Sequence, residues 1–220
     1  MPIKVITILA FFFASSSQPF GGQTTYFIGE GSRPSSVAVG HFNDDNQLDI
    51  AVANLGTGDL RILLGYGNRT FSNVTTDSTG TDSHLMAIAI GDFNSDSRID
   101  IVAANSDTND IVVFLGYGNG SFSNSISYSM GEGSQPESVA VVDFNKDNRS
   151  DIVIANSGTN NICILFSRGN GTFTNQTCYQ FGYNSQPNWI IAKDLNNDGR
   201  DDIAVTTFGT DNINILFNIC

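Results

Sequence analysis

Asp92, Asn94, Asp96 and Asp100 fall within nine consecutive residues, and an apolar run from Ile101 to Ala104 follows at once. Oxygen-bearing side chains at the first, third, fifth and ninth positions of a tight turn can all point inward. The backbone carbonyl of Arg98, at the seventh, completes the cup. Such a set suits a hard cation, which takes about six to eight oxygens at about 2.4 Å. Without a cation the acids oppose one another: at roughly 5 Å and an effective dielectric near 20, each carboxylate pair repels by about 3 kcal/mol. Neither thiol nor imidazole takes part, which disfavours zinc and copper. Magnesium suits the set less well, since it demands strict octahedral geometry and keeps several waters. The expected cofactor is Ca2+.

The same turn occurs four times. The second full set is Asp143, Asn145, Asp147, the Arg149 carbonyl and Asp151; the third is Asp194, Asn196, Asp198, the Arg200 carbonyl and Asp202. The earliest copy begins with His41 and leaves Asn43, Asp45, the Gln47 carbonyl and Asp49. Three strong sites and a fourth, weak or empty one are therefore expected. Two rival explanations stand beside metal binding. A single Asp-x-Asn-x-Asp is often only a polar hairpin built on Asx-turns, and Arg98, Arg149 and Arg200 could partly neutralise the acids. Neither explains why Asn stands at the third position each time.

Positioning these turns requires a repeating scaffold. The turns start at His41, Asp92, Asp143 and Asp194, always 51 residues apart, and Phe20, Phe71, Phe122 and Phe173 keep the same step. A period near fifty residues signals a repeat architecture. One unit reads as four strands: Ser36 to Phe42, Leu48 to Asn54, Leu60 to Tyr66 and Thr70 to Asp77. The inner strands are apolar and the outer one polar, the gradient of a propeller blade. In the second and third copies the hairpin between the last two strands reads Gly-Asn-Gly-Ser/Thr, a strong turn signal. The expected fold is all-β: a propeller of four roughly 51-residue, four-stranded blades over residues 18–220. An opening strand near Phe20 to Gly29 would complete the last blade and leave no open edge. A fragment of a larger ring, or a ring shared between two chains, is the alternative.

The stretch SVAVGHFNDDNQLDIAVAN and its copies resemble FG-GAP repeats, and more closely the variety called VCBS repeats, which form the blades of integrin alpha-chain propellers. The resemblance covers nearly all of residues 18–220 and implies calcium in the acidic turns. It also implies a role in adhesion or recognition of an extracellular protein or glycan. The sequence departs from the family at the sixth turn position, where only Gly199 is glycine; the other copies carry Asn46, Ser97 and Asn148.

Composition agrees with an extracellular binding protein. The formal net charge of −12 disfavours nucleic acid or an anionic membrane as partner. Lys4 followed by an apolar run from Val5 to Ala14 reads as a secretory signal peptide over residues 1–17, and that run is too short to span a bilayer. Sequons at Asn68, Asn73, Asn119, Asn148, Asn170 and Asn175 are consistent with a secreted glycoprotein. Cys163 and Cys178 flank a hairpin centred near residue 170 and face each other, so a disulfide is expected. Cys220 is left over: it is free, pairs with another chain, or marks truncation of a longer protein.

No Ser/His/Asp or Cys/His arrangement stands out. Tyr66, Tyr117 and the unique Trp189 read as packing residues. Taken with the adhesion or recognition that the family resemblance implies, the expected function is a non-catalytic recognition or adhesion module for extracellular protein or glycan. The alternative is an enzyme, or an accessory module of a secreted polysaccharide-acting hydrolase or lyase.

Overall fold

The computed structural model describes residues 22–72, 76–79 and 83–219. The expected signal peptide and Cys220 lie outside them. The described chain is built of four antiparallel sheets, each a meander in sequence order. The first comprises β1 (Pro34–Gly40), β2 (Asp49–Asn54), β3 (Asp59–Leu63) and β4 (Thr76–Ser78). The second comprises β5 (Leu85–Gly91), β6 (Asp100–Asn105), β7 (Asp110–Phe114) and β8 (Ile126–Ser129). The third comprises β9 (Pro136–Val142), β10 (Asp151–Asn156), β11 (Asn161–Leu165) and β12 (Thr177–Gln180). The last comprises β13 (Pro187–Lys193), β14 (Asp202–Thr207) and β15 (Asn212–Leu216), so three of the four sheets have the expected four strands and the last has three among the described residues.

The sheets stack face to face in sequence order, with one apolar core between each neighbouring pair. Ala51, Ala53, Leu60 and Ile62 of the first sheet meet Ile88, Ile101, Ala103, Val112 and Phe114 of the second. The central strands β6 and β10 are buried at every residue because both of their faces are covered. In β2 and β14 burial alternates, because among the described residues one face of each end sheet has no sheet against it. Exposed apolar side chains on those end faces include Val37 and Val39 of β1, Trp189 and Ile191 of β13, and Ile213 and Ile215 of β15. Among the described residues, the four sheets thus form an open arc.

Three expectations change. The outer strands are shorter than the sequence suggests and begin later: Phe71, Phe122 and Phe173 make single bridges to Gly65, Gly116 and Ser167 instead of starting a strand. The opening segment, where described, is not a strand at residues 22–29 and lies against the first sheet: the ring of Tyr26 meets Phe71 edge-on at 5.7 Å. Tyr66, Tyr117 and Trp189, read as packing residues, are mostly exposed: the tyrosines lie in the hairpins after β3 and β7, and Trp189 on the uncovered face of the last sheet. The expected pairing of Cys163 with Cys178 is present as a disulfide between register partners on β11 and β12.

Candidate functional site

Each acidic turn joins the first two strands of a sheet, and the last three repeat one hydrogen-bond scheme. In the second, Asp92 Oδ1 accepts from the Asp96 amide at 3.2 Å, and Asn94 Oδ1 accepts from that same amide at 3.0 Å. Two side-chain oxygens therefore converge on one point above the turn. Asp92 Oδ2 also accepts from Ser97 N at 2.9 Å, and Asp96 Oδ1 from Arg98 N at 2.9 Å. The third and fourth turns reproduce this through Asp143, Asn145 and Asp147, and through Asp194, Asn196 and Asp198.

The fourth and sixth positions of every turn are left-handed. The sixth have φ of 59° at Asn46, 65° at Ser97, 61° at Asn148 and 84° at Gly199. Ser97 therefore adopts the same turn as Gly199, at a conformational penalty of about 1–2 kcal/mol for a residue with a Cβ.

The ninth position does something the sequence did not reveal. Asp49, Asp100, Asp151 and Asp202 are completely buried. One carboxylate oxygen of Asp100 accepts from Phe93 N at 2.7 Å and the other from Gly116 N at 2.8 Å. Asp49 holds Phe42 and Gly65, Asp151 holds Phe144 and Ser167, and Asp202 holds Leu195 and Asn218 in the same way. Each of these aspartates ties the turn to the end of the third strand. Burial pushes the Asp100 carboxyl up to about 6, with Asp96 and Asp92 adding to the rise against the pull of the Gly116 and Phe93 amides. Burial likewise raises Asp151. At Asp194, where burial also acts to raise it, the amides of Gly199, Asn197, Asp198 and Asn196 prevail and hold the carboxyl below the usual range.

Among the described residues no three His, Cys, Asp or Glu side chains gather as a metal cluster. What each of the last three turns offers is mixed but all oxygen: carboxylates at the first and fifth positions, an amide oxygen at the third and a backbone carbonyl at the seventh. This donor chemistry fits a calcium ion. The first turn shows what replaces it. His41 Nδ1 sits 2.7 Å from the Gln47 carbonyl oxygen, so an imidazole N–H can donate across the turn from the first position to the seventh. With Asp at the first position, both groups are acceptors, so no direct hydrogen bond joins them and a cation could bridge them. The arginines act as expected in part. Arg149 pairs with Asp147 and donates to the Ser167 carbonyl at 2.9 Å, and Arg98 lies 3.6 Å from Asp96.

A second feature lies at the opposite end of the strands. A pocket of about 650 Å³ opens between the third and fourth sheets, lined by Gln135, Glu137, Asn160, Tyr183, Asn184, Gln186, Asn188 and Phe208, with Ser157 and Gly158. Hydrogen bonds frame it: Asn160 Oδ1 accepts from Gln186 N at 3.0 Å, Gln186 Nε2 donates to Asn184 Oδ1 at 3.1 Å, and Phe208 N donates to the Gln186 carbonyl at 3.0 Å. Tyr183 is 98% exposed and Phe208 71% exposed. Sequence reasoning passed over both. The signal was available, since Tyr183 stands where the preceding copy has Glu132, and Phe208 where the others have Leu55, Ser106 and Ser157.

Comparison with known proteins agrees with the repeat. The family described as FG-GAP-like repeat matches residues 41–103, 92–154 and 143–205. No curated protein matches the chain. Among solved structures, a catalytically inactive virginiamycin B lyase from Staphylococcus aureus, determined with quinupristin, is 13% identical with a TM-score of 0.56, over 88% of this chain and 58% of its own. An Agrocybe aegerita lectin that recognises non-reducing terminal N-acetylglucosamine is 19% identical with a TM-score of 0.53, over 82% and 51%. A periplasmic gluconolactonase from Pseudomonas aeruginosa is 15% identical with a TM-score of 0.56, over 86% and 44%. The chain thus spans about half the length of these structures, and at such identity the likeness concerns fold.

Proposed function

The chain belongs to the FG-GAP-like repeat family, and from that premise we propose that it is a secreted, calcium-stabilised recognition module that binds a glycan and catalyses nothing. The observation that carries the reading is the pocket between the third and fourth sheets. Amide side chains from Gln135, Asn160, Asn184, Gln186 and Asn188 line it, and Tyr183 and Phe208 stand exposed beside them. Amides both donate and accept, which suits hydroxyl groups. An exposed ring offers a flat apolar surface to the C–H face of a sugar. The disulfide is consistent with an oxidising, extracellular compartment.

Calcium in this reading is structural. Asp92, Asn94, Asp96 and the Arg98 carbonyl would hold one ion, with the matching residues of the third and fourth turns holding two more. A bound ion supplies positive charge that lets the acids stand close together. The protein's own residues shape the turn, and Asp100 and its equivalents anchor it to the sheet.

The enzyme reading draws on neighbours that include a lyase and a lactonase. Glu137 is the sole carboxylate among the residues lining the pocket, whereas glycoside hydrolysis generally requires a pair. The test is a glycan array probed in calcium, followed by calorimetry on the hits. Saturable glycan binding that is lost on changing Tyr183 supports the reading. Absence of any glycan binding, or release of product from a bound oligosaccharide, overturns it.

A further inference from the structure

The two end faces of the arc match each other in the way neighbouring sheets inside it do. Ile213, 70% exposed, stands 51 residues after Ile162, which is 1% exposed within the core between the third and fourth sheets. Val37, 63% exposed, stands 51 residues before Ile88, which is 7% exposed between the first and second. The last face therefore has the composition of a face that elsewhere receives a following sheet, and the first has that of a face that follows one. Trp189 and Ile191 replace smaller residues at the equivalent inner-strand positions, Ser138 and Ala140, and so add apolar area to the last face.

The opening segment points the same way. Tyr128, on the fourth strand of the second sheet, meets Phe173 in the hairpin of the third edge-on at 5.4 Å and 90°. Tyr26, two repeats earlier in register, meets Phe71 in the hairpin of the first sheet at 5.7 Å and 88°. Its hydroxyl also accepts from Phe71 N at 3.1 Å. The segment around Tyr26 thus occupies the place of the fourth strand of a sheet that would precede the first. The last sheet, β13–β14–β15, has three strands and carries β15 at its edge.

We propose that a second copy of this chain supplies that preceding sheet. The last face of one copy, with Trp189, Ile191, Ile213 and Ile215, docks on the first face of the other, with Val37 and Val39. The Tyr26 segment of the second copy then lies along β15 of the first as its fourth strand. The contact is head-to-tail, and a two-fold arrangement makes it twice. The chain covers about half of the propeller-like structures it resembles, so two arcs are of the size needed to complete one ring.

The experiment is sedimentation equilibrium on the secreted protein with Cys220→Ser, which removes a disulfide between copies as a source of the same mass. A mass of two chains at micromolar concentration is expected. A single-chain mass overturns the proposal and leaves the faces to ring closure within one chain or to another partner. Open-ended polymers overturn the two-copy ring. Ile213→Asp and Val37→Asp, both at exposed positions and checked for native circular dichroism, each give the single-chain mass. Mixing the two restores the two-chain mass, because one joint then joins two unaltered faces; failure to restore it overturns the head-to-tail contact.

Discussion

His41 Nδ1 faces the carbonyl oxygen of Gln47 across the first turn at 2.7 Å, a donor in the place where the other three turns carry an aspartate. One substitution therefore separates a turn whose first and seventh positions are joined by a hydrogen bond from turns in which both positions present acceptors. His41→Asp is expected to raise calcium stoichiometry by one in isothermal titration. In chelator the same variant is expected to melt below the parent, since two acceptors then oppose each other.

The ninth-position aspartates are expected to behave differently from the first. Asp100→Ala leaves the buried amides of Phe93 and Gly116 without an acceptor, which costs about 3 kcal/mol whether or not calcium is present. Asp92→Ala removes an acceptor at the exposed rim and costs about 1 kcal/mol in chelator. In calcium its penalty grows, because that turn no longer holds an ion. Urea denaturation of both variants with and without calcium checks the contrast.

The raised Asp100 and Asp151 carboxyls give a pH dependence whose sign depends on the ion. A folded value above the unfolded 3.8 means the folded state binds the extra proton. That stability is complete below 3.8 and is lost as pH rises through about 6 for Asp100. Asp194, held low, works in the opposite direction. In chelator the melting temperature is expected to fall between about pH 4 and pH 7. In millimolar calcium it is expected to rise over the same interval, because the cation favours the ionised acids. Scanning calorimetry across pH in both buffers decides it.

Ser97 holds a left-handed conformation at φ 65° that Gly199 adopts without a Cβ. Ser97→Gly is expected to stabilise the protein by about 1 kcal/mol, read as a higher urea midpoint at unchanged slope.

Tyr183→Ala and Phe208→Ala are each expected to weaken glycan binding by about tenfold, about 1.4 kcal/mol, with the melting temperature unchanged. Both rings are exposed and support little of the fold. A parallel loss of stability would show that they pack instead of bind.

The repeat, the four acidic turns, the hairpins and the Cys163–Cys178 pair could be read from the sequence because each depends on residues close together in the chain or on a constant 51-residue step. The buried tie made by Asp100 could not, since Gly116 lies 16 residues away and the register of β7 brings it back. The pocket, the place of the Tyr26 segment and the two bare apolar faces were also decided only in three dimensions. Repeated units carry similar local instructions. What distinguishes the end sheets from the middle ones is whether a neighbour covers them, and the burial of a face is a property of the assembly around it and not of the strand.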